Sequence, residues 1–300
     1  MAQQIITVLC EGPHDVAFIC RLLKSIGFKT NESTKIGEYP FPFNQLLIGE
    51  ATKTDVEQLN LTEIRRNLLP SNVLKKNDDF IFMYSLEGDG KIGPRQRVLK
   101  ELRSFIAAPG EIELLPKDTN LSLLYFFDAD QKGINTRLSE INAEIKNALP
   151  EITDDLFHVN GDAATISKLK IGAFIFTGPD NQTGKLEDIL FPLMKAQNES
   201  NFEAAGAYLS AHFDEPRLFP LKWSTNSLNN EIVEERSRRQ GDKARYDEIK
   251  SLIGAVGQLQ RSGKSNVVCI SDSDYLTLSK INADVKCQEI LSFFSEFISR

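Results

Sequence analysis

Three hydrophobic runs in this 300-residue chain end abruptly in acid. Ile5–Cys10 runs into Glu11-Gly12, Phe80–Leu86 into Glu87-Gly88-Asp89, and Leu121–Phe127 into Asp128-Ala129-Asp130. Carboxylates gathered this way are hard oxygen ligands. Magnesium takes a few of them and fills the rest of its octahedron with water and substrate phosphate. Asp128 and Asp130 are two apart, so in an extended stretch their side chains leave the same face. With Glu11 on a neighbouring strand they would form one cluster. The plainer reading is that an aspartate after a strand caps the next helix or closes an Asx-turn. Asp-x-Asp alone does not decide between these. Glu11-Gly12, with Asp15 one helical turn on, adds weight to the metal reading.

The elements that would position these acids follow from the hydrophobic pattern. Ile5–Cys10, Phe80–Leu86, Leu121–Phe127 and Ile171–Phe176 are short, apolar and rich in β-branched or aromatic residues, so each reads as a buried strand. Each is followed by a helical pattern: from Pro13 to about Phe28, from Pro94 to about Ala107, from about Asn135 to Leu149, and from near Leu186. Alternation of this kind builds an α/β fold with a Rossmann-like parallel sheet covered on both faces. Ligands then bind where the strands end, at the carboxyl edge. Residues 30–75 read as an insert, with a short strand at Leu46–Ile48 and a helix ended by Pro70. A boundary is expected near residue 195. Beyond it, 196–300 reads as a helical C-terminal region packing on the core, with Val267–Ile270 as its one strand and a last helix over about Val285–Ser299.

The order of these motifs resembles the Toprim family. Its first strand ends in glutamate-glycine, here Val8-Leu9-Cys10-Glu11-Gly12, and a later hydrophobic strand ends in Asp-x-Asp, here Leu124–Phe127 followed by Asp128-Ala129-Asp130. Closest are small bacterial Toprim-like proteins related to the nuclease part of OLD-family proteins, in which a later Gly-x-Leu-Glu-Asp element is matched by Gly184-Lys185-Leu186-Glu187-Asp188. The likeness covers about residues 5–195, with the stretch before Phe80 departing from a minimal Toprim core. It implies that Glu11 is a metal ligand or the general acid/base, that Asp128 and Asp130 hold Mg²⁺ (or Mn²⁺), and that Asp15 and Glu187 serve a second ion. Toprim proteins act on nucleic-acid phosphodiesters. No topoisomerase tyrosine module or primase zinc domain is evident, so the resemblance implies a Mg²⁺-dependent endonuclease-like hydrolase on DNA or RNA, in phage defence or nucleic-acid processing.

Hydrolysis at such a cluster uses metal to polarise the phosphate, generate hydroxide and steady the leaving oxygen; two ions about 4 Å apart do all three. Lys91, Lys132 and Lys185 each follow a strand and are candidate phosphate contacts, although loop lysines are most often simply solvated. Arg95, Arg97, Lys100 and Arg103 form a basic helix face with the same two readings. One rival is a non-catalytic Toprim-like module that binds nucleic acid or an ATPase partner. Another is a nucleotide-sugar transferase using Asp-x-Asp with Mn²⁺, which leaves Glu11-Gly12 unexplained. A homodimer is also compatible with the sequence.

Composition narrows the class further. Lys plus Arg is 35 and Asp plus Glu 42, a net −7, which argues against coating nucleic acid or anionic membrane by bulk charge. Hydrophobic residues at 41% and charged residues at 26% describe an ordinary globular chain. Cys10, Cys20, Cys269 and Cys287 have no paired spacing, which disfavours zinc ribbons and fits a reducing cytoplasm. No cationic leader and no run of roughly 20 apolar residues is present, so a cytoplasmic protein without membrane segments is expected. Ser262-Gly263-Lys264-Ser265 mimics a phosphate loop, but Gly257 is one residue too far upstream and a strand is expected after it. Asp272-Ser273-Asp274 reads as a turn, His14 as a surface-helix residue, Trp223 as core, and Arg236–Arg245 as an exposed basic helix.

Overall fold

The first strand, β1 (Gln3–Cys10), buries its last six residues, so both of its faces are covered. It is the middle of a seven-stranded sheet in the computed structural model. The structure describes residues 2–52, 69–86, 88, 90, 92–107, 114–227, 230–236 and 246–298. Glu87, Asp89, Lys91, the helix expected before Pro70, and Arg238, Arg239, Lys243 and Arg245 lie outside the described residues.

After β1 come α1 (Pro13–Ser25), β2 (Lys29–Thr30), α2 (Phe43–Thr52), β3 (Asn72–Lys76), β4 (Asp79–Ser85) and α3 (Ile92–Ser104). Then follow β5 (Thr119–Asp128), α4 (Ile134–Ala148), β6 (Ala163–Ile166), β7 (Leu169–Phe176) and α5 (Leu186–Lys195). The sheet order is β2-β3-β4-β1-β5-β7-β6. The four central strands β4, β1, β5 and β7 are parallel, and the outer strands are antiparallel. This is a Rossmann-like α/β fold. Register aligns the strand ends that matter: Cys10 pairs with Ser85 and Phe126, and Asp128 pairs with Phe176. Glu11, Asp128 and the loop before α5 therefore reach one carboxyl edge.

Each sheet face has its own core. On one, Leu99 and Leu102 of α3 and Leu138, Ile141 and Ile145 of α4 cluster with Leu9, Leu123, Tyr125 and Ile175. On the other, Phe126 stacks on Phe294 (5.1 Å) and meets Phe293 edge-on (5.7 Å). Those phenylalanines belong to the last helix, Val285–Ser295, whose residues Val285 to Ser295 follow a short helix at Leu278–Ala283. Gly172 on β7 makes room for this approach. A Cβ there would fall 2.7 Å from the rings of both Phe293 and Phe297.

The chain divides into two compact units, Met1–Leu193 with Leu276–Arg300, and Met194–Tyr275. The last 25 residues thus belong with the sheet. The second unit contains α6 (Glu199–His212), a hairpin of β8 (Leu221–Thr225) and β9 (Ile232–Arg236), α7 (Glu248–Gly257) and α8 (Asn266–Asp272). Counting on, the helices of the closing segment are α9 (Leu278–Ala283) and α10 (Val285–Ser295).

Several expectations are corrected. Val267–Ile270 is helical, inside α8; a four-residue apolar run has no period of its own, and here Cys269 and Ile270 are buried, Cys269 against Gly257 of the helix before it. The Ser262–Ser265 loop therefore opens a helix, but it follows α7 rather than a strand. Leu46–Ile48 lies in α2, where Phe43 anchors the helix by stacking 3.9 Å from Phe82. The C-terminal region is mainly helical but also contains the β8–β9 hairpin, and Arg236, expected on a helix, sits on β9. Trp223 is 74% exposed on β8, its indole N–H donating to Glu234 at 2.8 Å. Among the described residues no helix is long and apolar enough to cross a membrane.

Candidate functional site

Gly12 is the N-cap of α1 and Pro13 its first residue, a start that suits a fixed φ and an unneeded N–H. The buried Asp15 reaches back, accepting from the Gly12 N–H at 2.7 Å as a capping-box acid does. Glu11 is thereby set at the strand end, immediately before the helix. Its Oε1 accepts from the Asp128 N–H at 3.2 Å and lies 3.4 Å from the Arg137 guanidinium.

Asp128 closes β5 and looks toward α5. Its Oδ1 accepts from the Leu186 N–H at 2.8 Å, in the first turn of α5, where unpaired amides favour an anion. Next along the helix, Glu187 is 2% exposed and stands 3.2 Å from His14 Nδ1, with Lys185 Nζ at 4.0 Å. Asp188 caps the same turn by accepting from the Lys185 N–H at 2.8 Å. Gly184 permits this geometry: its φ is +111°, and a Cβ would press on the Asp188 carboxylate (2.7 Å) and on the Gly178 backbone.

Burial raises the Asp128 carboxyl from 3.8 to about 9, followed by the like charges of Asp15 and Glu11; the Leu186 N–H opposes the rise, and Glu187 adds a smaller push. Asp128 therefore keeps its proton at neutral pH. Three other carboxyl groups, Asp15, Glu11 and Glu187, thus act on Asp128 here.

Asp130 takes a different path. The chain leaves the extended conformation at this residue, whose φ is +48°, and a backbone bridge joins it to Gly184. The reasoning that two positions two apart share a face holds only while the strand continues. Asp130 instead accepts from Arg137 at 2.6 Å, with its side chain 46% exposed. Arg137, itself 2% exposed, also donates to the Asp128 carbonyl (2.7 Å) and to Glu140 (3.1 Å). Lys132 pairs with Glu140 at 3.0 Å.

Carboxylate oxygens are the right kind of donor for Mg²⁺ or Mn²⁺, and a buried group of acids holding an extra proton is one that a cation would neutralise. The positions are not a finished cage: among the described residues, no three His, Cys, Asp or Glu side chains are placed to hold a metal ion as they stand. Glu11, Asp128, Asp15 and Glu187 are the residues that would hold one.

Residues 6–226 match the model of a family described as a protein of unknown function (DUF3226). The chain belongs to that family. The crystal structure of the hypothetical protein PH0156 from Pyrococcus horikoshii OT3 is similar over 98% of this chain and 95% of its own, with a TM-score of 0.53 and 16% sequence identity. At that identity the likeness shows the fold alone. No curated protein matches the chain. The family match spans all the strand ends described above, so Glu11, Asp128 and Glu187 of this DUF3226 member all fall within it.

Three features of the site were missed in the sequence. Arg137 is four residues before Ile141 and eight before Ile145, so it lies on the buried stripe of α4; a cation on such a stripe is a visible signal. Arg95 is placed alike, three and four before Val98 and Leu99, and it is buried with Glu144 at 2.7 Å instead of lying on a basic surface. Arg97 pairs with Glu50 and Glu101, and Arg103 with Glu151. The contact of His14 with Glu187 spans 173 residues and has no local signature.

Proposed function

We propose that this chain hydrolyses phosphodiester bonds of DNA or RNA in a Mg²⁺-dependent, nuclease-like reaction, with Mn²⁺ as an alternative ion. The observation that carries the reading is the meeting of Glu11, Asp15, Asp128 and Glu187 at the carboxyl edge of the sheet, where Asp128 is tied to both Glu11 and α5. The resemblance of the motif order to the Toprim family supports it. A bound divalent cation supplies phosphate polarisation and a hydroxide nucleophile at neutral pH. Glu11, 14% exposed, is the acid/base group facing solvent, and Asp128, whose carboxyl pKa burial raises, would be a ligand of such a cation. Arg137 positions Glu11 and Asp130 through one guanidinium. Lys185, 4.0 Å from Glu187, is one lysine for a substrate phosphate, and Lys132, paired with Glu140, is another.

A second reading, a non-catalytic module that binds nucleic acid or an ATPase partner, is favoured by one specific observation. Arg137 already satisfies Glu11 and Asp130, and no three acids are yet in position around one point among the described residues. Titration with Mn²⁺ by calorimetry separates the two. The hydrolytic reading expects saturable Mn²⁺ binding that falls at least tenfold in Asp128→Asn and in Glu11→Gln. Equal affinity in all three proteins, or no binding in the wild type, supports the module instead.

A further inference from the structure

Beside the acid cluster, on the far side of Arg137, a cavity of about 370 Å³ opens between α3 and α4. That is the lower end of the roughly 300–1,000 Å³ range of small-ligand sites, enough for one nucleotide and too little for a duplex. Its walls combine two chemistries. Phe127, Ile141 and Ile92 supply an apolar side, Ile92 being 48% exposed at the mouth. Among the described lining residues, Arg95, Lys132 and Arg137 supply cations that face the carboxylates of Glu140 and Glu144.

The two carboxylates hold different positions. Glu144 is locked at the floor, bonded by Arg95 through Nε (2.8 Å) and a terminal nitrogen (2.7 Å), while the same guanidinium lies 5.0 Å from the Phe127 ring centre. Beneath this pair the fully buried Tyr125 hydroxyl has no hydrogen-bond partner among the described residues, and burial, then Glu144, pushes its ionisation to higher pH. Glu140 is at the mouth, its side chain 45% exposed, and it bridges Lys132 (3.0 Å) and Arg137 (3.1 Å). A lysine and a buried arginine converging on one half-exposed carboxylate is an arrangement that a phosphate can take over, because phosphate offers the same acceptor geometry with more charge. Glu140 can turn into solvent when it is displaced.

We propose that this cavity is a subsite for one nucleotide of the substrate, with Lys132 and Arg137 holding a phosphate in place of the Glu140 carboxylate. The nucleotide identity rests on the phosphodiester reading above. Sugar and base lie against Phe127 and Ile141, within reach of the Asn147 amide. Arg137 then links the two sites, since it contacts Glu11 and Asp130 on one side and lines the cavity on the other.

Calorimetry with AMP, dAMP, inorganic phosphate and adenosine tests this. The expected result is saturable binding of the monophosphates, weakened at least tenfold by Lys132→Ala and tightened several-fold by Glu140→Gln. Filling the cavity from its exposed rim with Ala143→Phe should abolish monophosphate binding while inorganic phosphate still binds. No monophosphate binding by the wild type, or wild-type affinity in all three variants, overturns the subsite. Cleavage that requires Asp128 without any monophosphate binding overturns the subsite alone. Monophosphate binding that responds to Lys132, in a protein that cleaves nothing, upholds the subsite and overturns the hydrolytic reading.

Discussion

Arg137 donates to Asp130 at 2.6 Å from a position that is 2% exposed, seven residues along the chain from its partner. The guanidinium also contacts Glu11, Glu140 and the Asp128 carbonyl, so one side chain fixes the geometry of two strand ends. Removing a buried charge that compensates several others leaves them uncompensated. Arg137→Leu is therefore expected to destabilise the fold by about 3–5 kcal/mol, and Arg137→Lys, which keeps charge but loses the planar fork, by less. Urea unfolding monitored by circular dichroism measures both. Equal stability of Arg137→Leu and wild type would show that the arginine is dispensable.

The protonated Asp128 gives stability a pH dependence of definite sign. Its carboxyl sits at about 9 in the folded chain against 3.8 ordinarily, so between these values the folded state binds the proton and the unfolded state does not. Stability therefore falls as pH rises through that window. Asp128→Asn removes this dependence and should be more stable than wild type at pH 8, by about 1 kcal/mol or more. Thermal melts of metal-free protein at pH 5, 7 and 8.5 check it. A wild-type Tm that is constant or rises over that range contradicts the placement of Asp128 among the other acids.

How much of this was legible in the sequence depended on the range of the interactions. The central strands were readable because burial on both faces leaves continuous apolar runs, and the carboxyl-edge placement of Glu11 and Asp128 followed from the strand-helix order. The path of the chain after Asp128 was not readable. It turns on the left-handed conformation of Asp130 and its bridge to Gly184, 54 residues away. Val267–Ile270 was misread because four apolar residues suit a strand and a buried helix turn alike. Arg137 and Arg95 carried a signal, a charge on an apolar stripe, that points to a buried ion pair.

Gly172 tests the packing that closes the second face of the sheet. A side chain there meets Phe293 and Phe297 at 2.7 Å, on a strand against a helix whose Phe293 also meets Phe126 edge-on. Gly172→Val is expected to destabilise by about 1–3 kcal/mol or more through overpacking. Chemical unfolding reads the cost, and restoring space with Phe293→Leu should recover part of it. A neutral Gly172→Val would show that α10 does not press on β7.

The central claim is hydrolysis at the acidic strand ends. It is tested most directly by cleavage of single-stranded and duplex DNA and structured RNA by purified protein with Mg²⁺ or Mn²⁺, comparing wild type, Glu11→Gln and Asp128→Asn. The account predicts metal-dependent cleavage by the wild type and a loss of at least about 100-fold in each variant, the usual scale for a positioned acid–base group. Cleavage that is unchanged in both variants, or absent from the wild type on every substrate with either metal, contradicts it.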